Sequence, residues 1–206
     1  MTPRLSRRRF ISVIAAAAGY CVASRTSRVE ASDQIARNEL LKWQGTALGA
    51  QTSILISAQP SSRTQKLIRH CVDEIRRLEL IFSLYRDDSV LTRLNRLANL
   101  DHPPPELVDI LIQSRRFNEI TNGRFDPTVQ PLWELYTTHF SDPRSDPMGP
   151  AETEILRKVR LVDFRNVDIT PQHIAFAQPG MAVTLNGIAQ GYITDCVVKI
   201  LRDAGM

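Results

Sequence analysis

Along this chain the hydrophobic positions switch between strand and helix spacing, and the switches mark its elements. Trp43 to Ala58, WQGTALGAQTSILISA, predicts a strand broken at Gly45 and Gly49 and resumed in the β-prone stretch from Thr52 to Ile56. A turn at Gly49 lets backbone approach a ligand closely. Ser61 or Ser62 then caps a helix to about Phe82, with Leu67, Cys71, Ile75 and Leu78 along one face for packing on a sheet. FSLYRDDSVLTRLN, Phe82 to Asn95, breaks that helix and offers a second start at Asp88 or Ser89, which puts Tyr85 near a helix junction, where a half-buried ring at the edge of the core is expected. Pro105 suits the first turn of a helix running to Asn122, with Gly123 as its stop.

The next stretch, GRFDPTVQPLW from Gly123 to Trp133, fits neither period. Pro127 and Pro131 exclude a packed strand, because each removes a backbone donor and fixes φ. Phe125, Val129, Leu132 and Trp133 are more than a surface loop needs, so the segment predicts backbone held in a fixed shape around something. A short helix follows over LWELYTTHF, then a polar loop from Ser141 to Pro150 and a helix from Glu152 to Val159. Leu161 to Ile169, His173 to Ala177 and Met181 to Leu185 predict three short strands in a meander. After them Asn186-Gly187-Ile188 opens a helix to Met206.

Composition changes the picture chiefly at the start of the chain. Of 206 residues, 43% are hydrophobic, enough for a globular domain. Residues 1–31 run from a basic start through a modest apolar stretch, Phe10 to Ala23, to small and polar residues, which is the pattern of a secretory signal peptide rather than of a spanning helix. Ser6-Arg7-Arg8-Arg9-Phe10-Ile11 looks like a twin-arginine export signal and points to the periplasm, and Val29-Glu30-Ala31 offers a cleavage site with Cys21-Val22-Ala23 as its rival. Without that segment, which holds six arginines and one glutamate, 20 basic face 21 acidic residues, so the net charge of +4 belongs to the leader. No basic stripe interleaved with aromatics remains, which argues against nucleic acid as a partner. No transmembrane helix is expected in the mature chain. Cys71 and Cys196 fall on apolar helical faces and read as buried thiols.

The strand-to-helix turn VTLNGIAQGYITD is the second chemical landmark. Small residues at a helix N-terminus expose backbone donors and favour a phosphate, while Gly187 and Gly191 equally suit close helix packing. Taken together, WQGTALG, FSLYRDDSVLTRLN, TNGRFDPTVQPLW and LNGIAQGYITD, in this order and spacing, resemble the ApbE family of FAD:protein FMN transferases. Asn186, Gln190 and the twin-arginine stretch are most similar to its NosX branch, accessory proteins of nitrous-oxide respiration.

The resemblance implies an α+β, T-fold-like architecture, a mixed or antiparallel sheet flanked by helices over residues 32–206. It implies FAD as substrate, Mg²⁺ as cofactor and FMN left on a Ser or Thr hydroxyl of an acceptor flavoprotein, a nitrous-oxide respiration membrane protein for the NosX branch. Arg124, Phe125 and Asp126 are then FAD contacts, Tyr85 lines the flavin site, and Leu48 stands where the family usually has Met. Thr184 and Gln190 occupy FAD-contacting positions that usually carry Asp and Lys or Glu, keeping hydrogen-bonding capacity without charge. Gly187 matches a position that lends its carbonyl to Mg²⁺. Asp126 is also a candidate metal ligand, against an Asp that caps the turn through its own backbone. The family's remaining metal-binding segments would follow LRDAGM, so the resemblance also implies a domain incomplete at its C-terminus, with weak FAD binding and little transfer. A periplasmic FAD carrier without turnover and an FAD pyrophosphatase are the alternative readings.

Overall fold

The computed structural model describes residues 39–206; the expected export signal, with Arg7 and Arg8, lies outside them. The chain starts with an antiparallel hairpin, β1 (Glu39–Ala47) and β2 (Ala50–Ala58), paired from Glu39 against Ala58 down to Ala47 against Ala50. The turn residues Leu48 and Gly49 both have left-handed φ, 51° and 76°, which is the geometry that lets a two-residue turn follow strand twist. Gly45 does not break the strand as expected. It sits inside β1, where the ring of Trp43 folds across it and a Cβ would stand 2.5 Å from that ring.

α1 (Ser62–Phe82) begins on Ser61, whose hydroxyl accepts from Thr64 N–H, and buries Cys71, Ile75, Leu78 and Phe82. α2 (Val90–Leu97) starts on Ser89 in the same way and buries Leu91 and Leu94. The short β3 (Asn99–Asp101), too brief to leave a pattern, follows at once. α3 (Pro105–Ile120) carries Pro105 in its first turn and ends before the expected Asn122, because Asn122 and Gly123 turn left-handed with φ of 51° and 76°. After a one-turn helix at Pro127–Val129 come α4 (Gln130–Ser141) and α5 (Glu152–Val159).

The expected strand Leu161–Ile169 reduces to β4 (Val167–Ile169), since Asp163 caps a tight turn over Phe164–Asn166. β5 (His173–Phe176) pairs with both β3 and β4, giving an antiparallel sheet of order β3-β5-β4. Met181–Leu185 joins neither sheet, contrary to expectation; it has no regular secondary structure, and the backbone of Val183 and Thr184 pairs with a side chain and a turn. The last helix, α6 (Ala189–Asp203), packs on α1, with Tyr192 edge-on to Phe82 at 5.3 Å. One core joins these elements, centred on Phe82, Leu107, Ile110, Leu111, Phe164, Ile174, Met181 and Leu185. The fold is α+β.

Candidate active site

Four segments that are distant in sequence meet at one place, beginning with the β1–β2 turn. A left-handed Leu costs about 1 kcal/mol, and Leu48 is held there by burial, at 7% exposed, and by an N–H bond to Glu79 Oε1 of 2.6 Å. Next to it Gly49 lies under the ring of Tyr85: a Cβ would come within 3.1 Å of that ring, so only glycine meets both the φ and the contact.

Tyr85 follows the end of α1, where Ser83 and Ser89 organise the chain. Ser89 Oγ donates to the Ser83 carbonyl at 2.5 Å, and Tyr85 N–H donates to Ser83 Oγ at 3.1 Å. The ring is not the half-buried core edge expected but 62% exposed, because the loop turns it outward over Gly49. Its hydroxyl accepts from Asn186 Nδ2 at 3.4 Å.

The Phe125–Pro127 turn forms the third side. Asn118 Nδ2 donates to the Phe125 carbonyl at 2.8 Å, and Phe125 N–H donates to Thr121 Oγ1 at 3.0 Å. Asp126 uses both carboxylate oxygens inside the protein. Oδ1 accepts from Thr128 N–H at 2.8 Å and from its hydroxyl at 2.5 Å, while Oδ2 accepts from Phe164 N–H at 3.0 Å and Asn118 Nδ2 at 3.4 Å. Of the two readings of this residue, capping is the one realised. The prolines sit where no N–H is required, Pro127 and Pro131 each in the first turn of a helix.

The fourth segment runs from Val183 into α6. Thr184 N–H donates to the Pro127 carbonyl at 2.8 Å, and Gly187 lies against Phe125, with only 3.2 Å between a built Cβ and the ring. Leu48, Tyr85, Phe125, Asp126, Thr184 and Gly187 are thereby brought together. Gln190 stands exposed on the first turn of α6, and Arg124 is exposed beside Phe125. Sequence reasoning passed over Glu79 and Asn95 as site residues, and read Asn186 only as the helix start and a branch feature. Their contacts are to residues 31, 88 and 101 positions away, and no local pattern carries such partners.

Cys71 and Cys196 are free thiols, and burial pushes both up, which keeps them protonated. Two shallow clefts, of about 510 and 540 Å³, open elsewhere, along the β4 edge and beside α3; only the second touches the turn, at Asp126 and Gly123. For a metal, the Gly187 carbonyl is one oxygen donor, and among the described residues no group of three or more His, Cys, Asp or Glu gathers. That donor set alone does not complete the shell of an octahedral oxygen-ligated cation. For a flavin the fit is better: two glycine backbones lie bare against two aromatic rings. Among the described residues no helix is long and apolar enough to cross a membrane.

Known proteins resemble this arrangement of segments. The chain is 28% identical over 157 residues to a FAD:protein FMN transferase of Treponema pallidum, covering 70% of this chain and 41% of the relative. It is 25% identical to that of Vibrio cholerae, covering 82% and 51%. The chain thus spans about half the length of the relatives it matches. In fold it resembles the flavin transferase ApbE from Vibrio cholerae, with a TM-score of 0.70 at 24% identity over 82% of this chain and 55% of that one. The flavinyl transferase ApbE of Pseudomonas stutzeri in its apo form gives 0.69 at 21% identity, over 81% and 56%. A family model matches residues 48–206, from the hairpin turn through α6, and the chain belongs to the ApbE family.

Proposed function

We propose that this chain serves to move FMN from FAD to a Ser or Thr hydroxyl of a partner flavoprotein. The observation that carries the reading is the continuous run of contacts from Gly49 to Tyr85, from Tyr85 to Asn186, and from Gly187 to Phe125. Rings laid on bare backbone offer flat apolar surfaces on which an isoalloxazine can stack. Leu48, Tyr85 and Phe125 would line the flavin, Arg124, Thr184 and Gln190 would supply donors toward the pyrophosphate, and Asp126 would act by fixing the turn. The names of the relatives support the same substrate and product. In the reaction the acceptor oxygen bonds to the FMN phosphorus, the hydroxyl proton leaves, and the bond to AMP breaks. Mg²⁺ would be the cation that offsets phosphate charge, with the Gly187 carbonyl as one of its oxygen donors. Export by the twin-arginine route belongs to this proposal too, with an acceptor among the membrane proteins of nitrous-oxide respiration as in the NosX branch.

Because the chain spans about half of its relatives, binding and transfer are measured separately. FAD binding is read by flavin fluorescence, and Tyr85→Ala and Phe125→Ala are each expected to weaken it about tenfold, the worth of one stacking face. Equal binding by both variants would remove the site. Transfer is read as covalent flavin fluorescence on an acceptor together with released AMP, with and without Mg²⁺. Intact FAD retained on the chain would replace transfer by carriage, and free FMN with AMP would replace it by hydrolysis.

A further inference from the structure

Val183 lies in the Met181–Leu185 segment, which joins no sheet, yet its N–H and its carbonyl are both paired. Asn95 on α2 meets it with its whole amide: Nδ2 donates to the Val183 carbonyl at 2.8 Å, and Oδ1 accepts from Val183 N–H at 2.8 Å. A side-chain amide presents donor and acceptor side by side as a peptide does, so this one residue takes the place of a neighbouring strand. Val183 is wholly buried, and its polar groups would otherwise have no water to turn to. One residue later the Thr184 N–H reaches Pro127, and beyond it Asn186 and Gly187 reach Tyr85 and Phe125. At its other end α2 is fixed by Ser89 to the Ser83 carbonyl, in the loop that carries Tyr85. The same short helix therefore holds both the Tyr85 loop and the strip leading to Gly187.

Resting on the flavin reading above, we propose that Asn95 is a positioning residue that sets the Val183–Gly187 strip against Tyr85 and Phe125, and through them the affinity for FAD. It does not touch the flavin. It fixes the spacing of the two aromatic walls, and only a group with one donor and one acceptor in amide geometry can do so.

The test uses the full chain with Asn95→Ala and Asn95→Asp. Amide hydrogen exchange is followed at Val183 and Thr184 without flavin, and FAD binding is followed by fluorescence at a temperature where every variant is folded. Asn95→Ala should speed exchange at these two amides while leaving α3 unchanged, and should weaken FAD about tenfold, as one lost buried bonding pair implies. Asn95→Asp should behave like Ala near neutral pH, where a carboxylate oxygen faces the Val183 carbonyl. As the pH falls and that carboxyl protonates, it regains an O–H donor, so exchange and affinity, each as a ratio to the parent chain at the same pH, should return toward one. Mere filling of space predicts no such return. Asn95→Ala binding FAD as tightly as the parent, or Asn95→Asp without recovery in acid, would overturn the proposal. If Asn95→Ala does not fold, Asn95→Asp supplies both readings. If the parent chain binds no FAD, the flavin reading fails, and the acid recovery of exchange still decides whether Asn95 sets the strip.

Discussion

At the scale of single residues, Asp126 is the most heavily used side chain near the turn, accepting from Thr128, Phe164 and Asn118. Thr128 and Phe164 are buried, so removing the carboxylate strands their donors. Asp126→Ala is expected to lower unfolding free energy by about 2 kcal/mol, and Asp126→Asn, which keeps an acceptor for Thr128, by about half as much. Denaturant titration of the two variants measures this, and a loss in Ala under about 0.5 kcal/mol would contradict the capping role. The capping was legible in the sequence, because an Asp two residues before a Thr and next to a proline forms a local turn. Tyr85 was legible only as a position. Its exposure depends on the bare backbone of Gly49, which the hairpin delivers from 36 residues earlier, and no window around Tyr85 contains that partner.

Between elements, α1 and α3 are tied by Arg77, which reaches Glu74 at 2.8 Å and Glu106 at 2.7 Å. The bond from Arg77, with burial opposing it, holds Glu74 below its ordinary value of 4.5. A folded-state value below the unfolded one means that the contribution is complete above the ordinary value and is lost as pH falls through the lowered one. Arg77 is 48% exposed, so screening leaves only roughly 0.5 kcal/mol at neutral pH. Arg77→Met, which keeps the apolar stem, should cost about that much near pH 7, and its difference from the parent should close on acidification. Urea midpoints across that range measure it; a pH-independent difference would assign the effect to packing. At this scale helices were the readable elements, because Ser61, Ser89 and Pro105 mark their starts and an apolar face repeats along α1. The meander was read too generously. Met181–Leu185 has the composition of a strand, but its pairing is given by Asn95 and Pro127, and β3 is fixed only by meeting β5.

Over the whole molecule, the proposed export signal and the described domain are tested separately. Recognition of a paired arginine depends on guanidinium geometry and not on charge alone, so Arg7→Lys with Arg8→Lys should leave the precursor in the cytoplasm. Cell fractionation reads the outcome, and unchanged periplasmic yield would remove the export proposal. The bonds that close the site also set an order in time. Asn95 waits for Val183, Tyr85 for Asn186, and Pro127 for Thr184, so a chain emerging from the ribosome carries unmatched walls until residues 183–186 have been made. The hairpin, α1 and α2 can form early, whereas the two aromatic walls meet only after the Val183–Gly187 strip has emerged. Under the twin-arginine export proposed above, these walls would already have met on the side of the membrane where the chain is made.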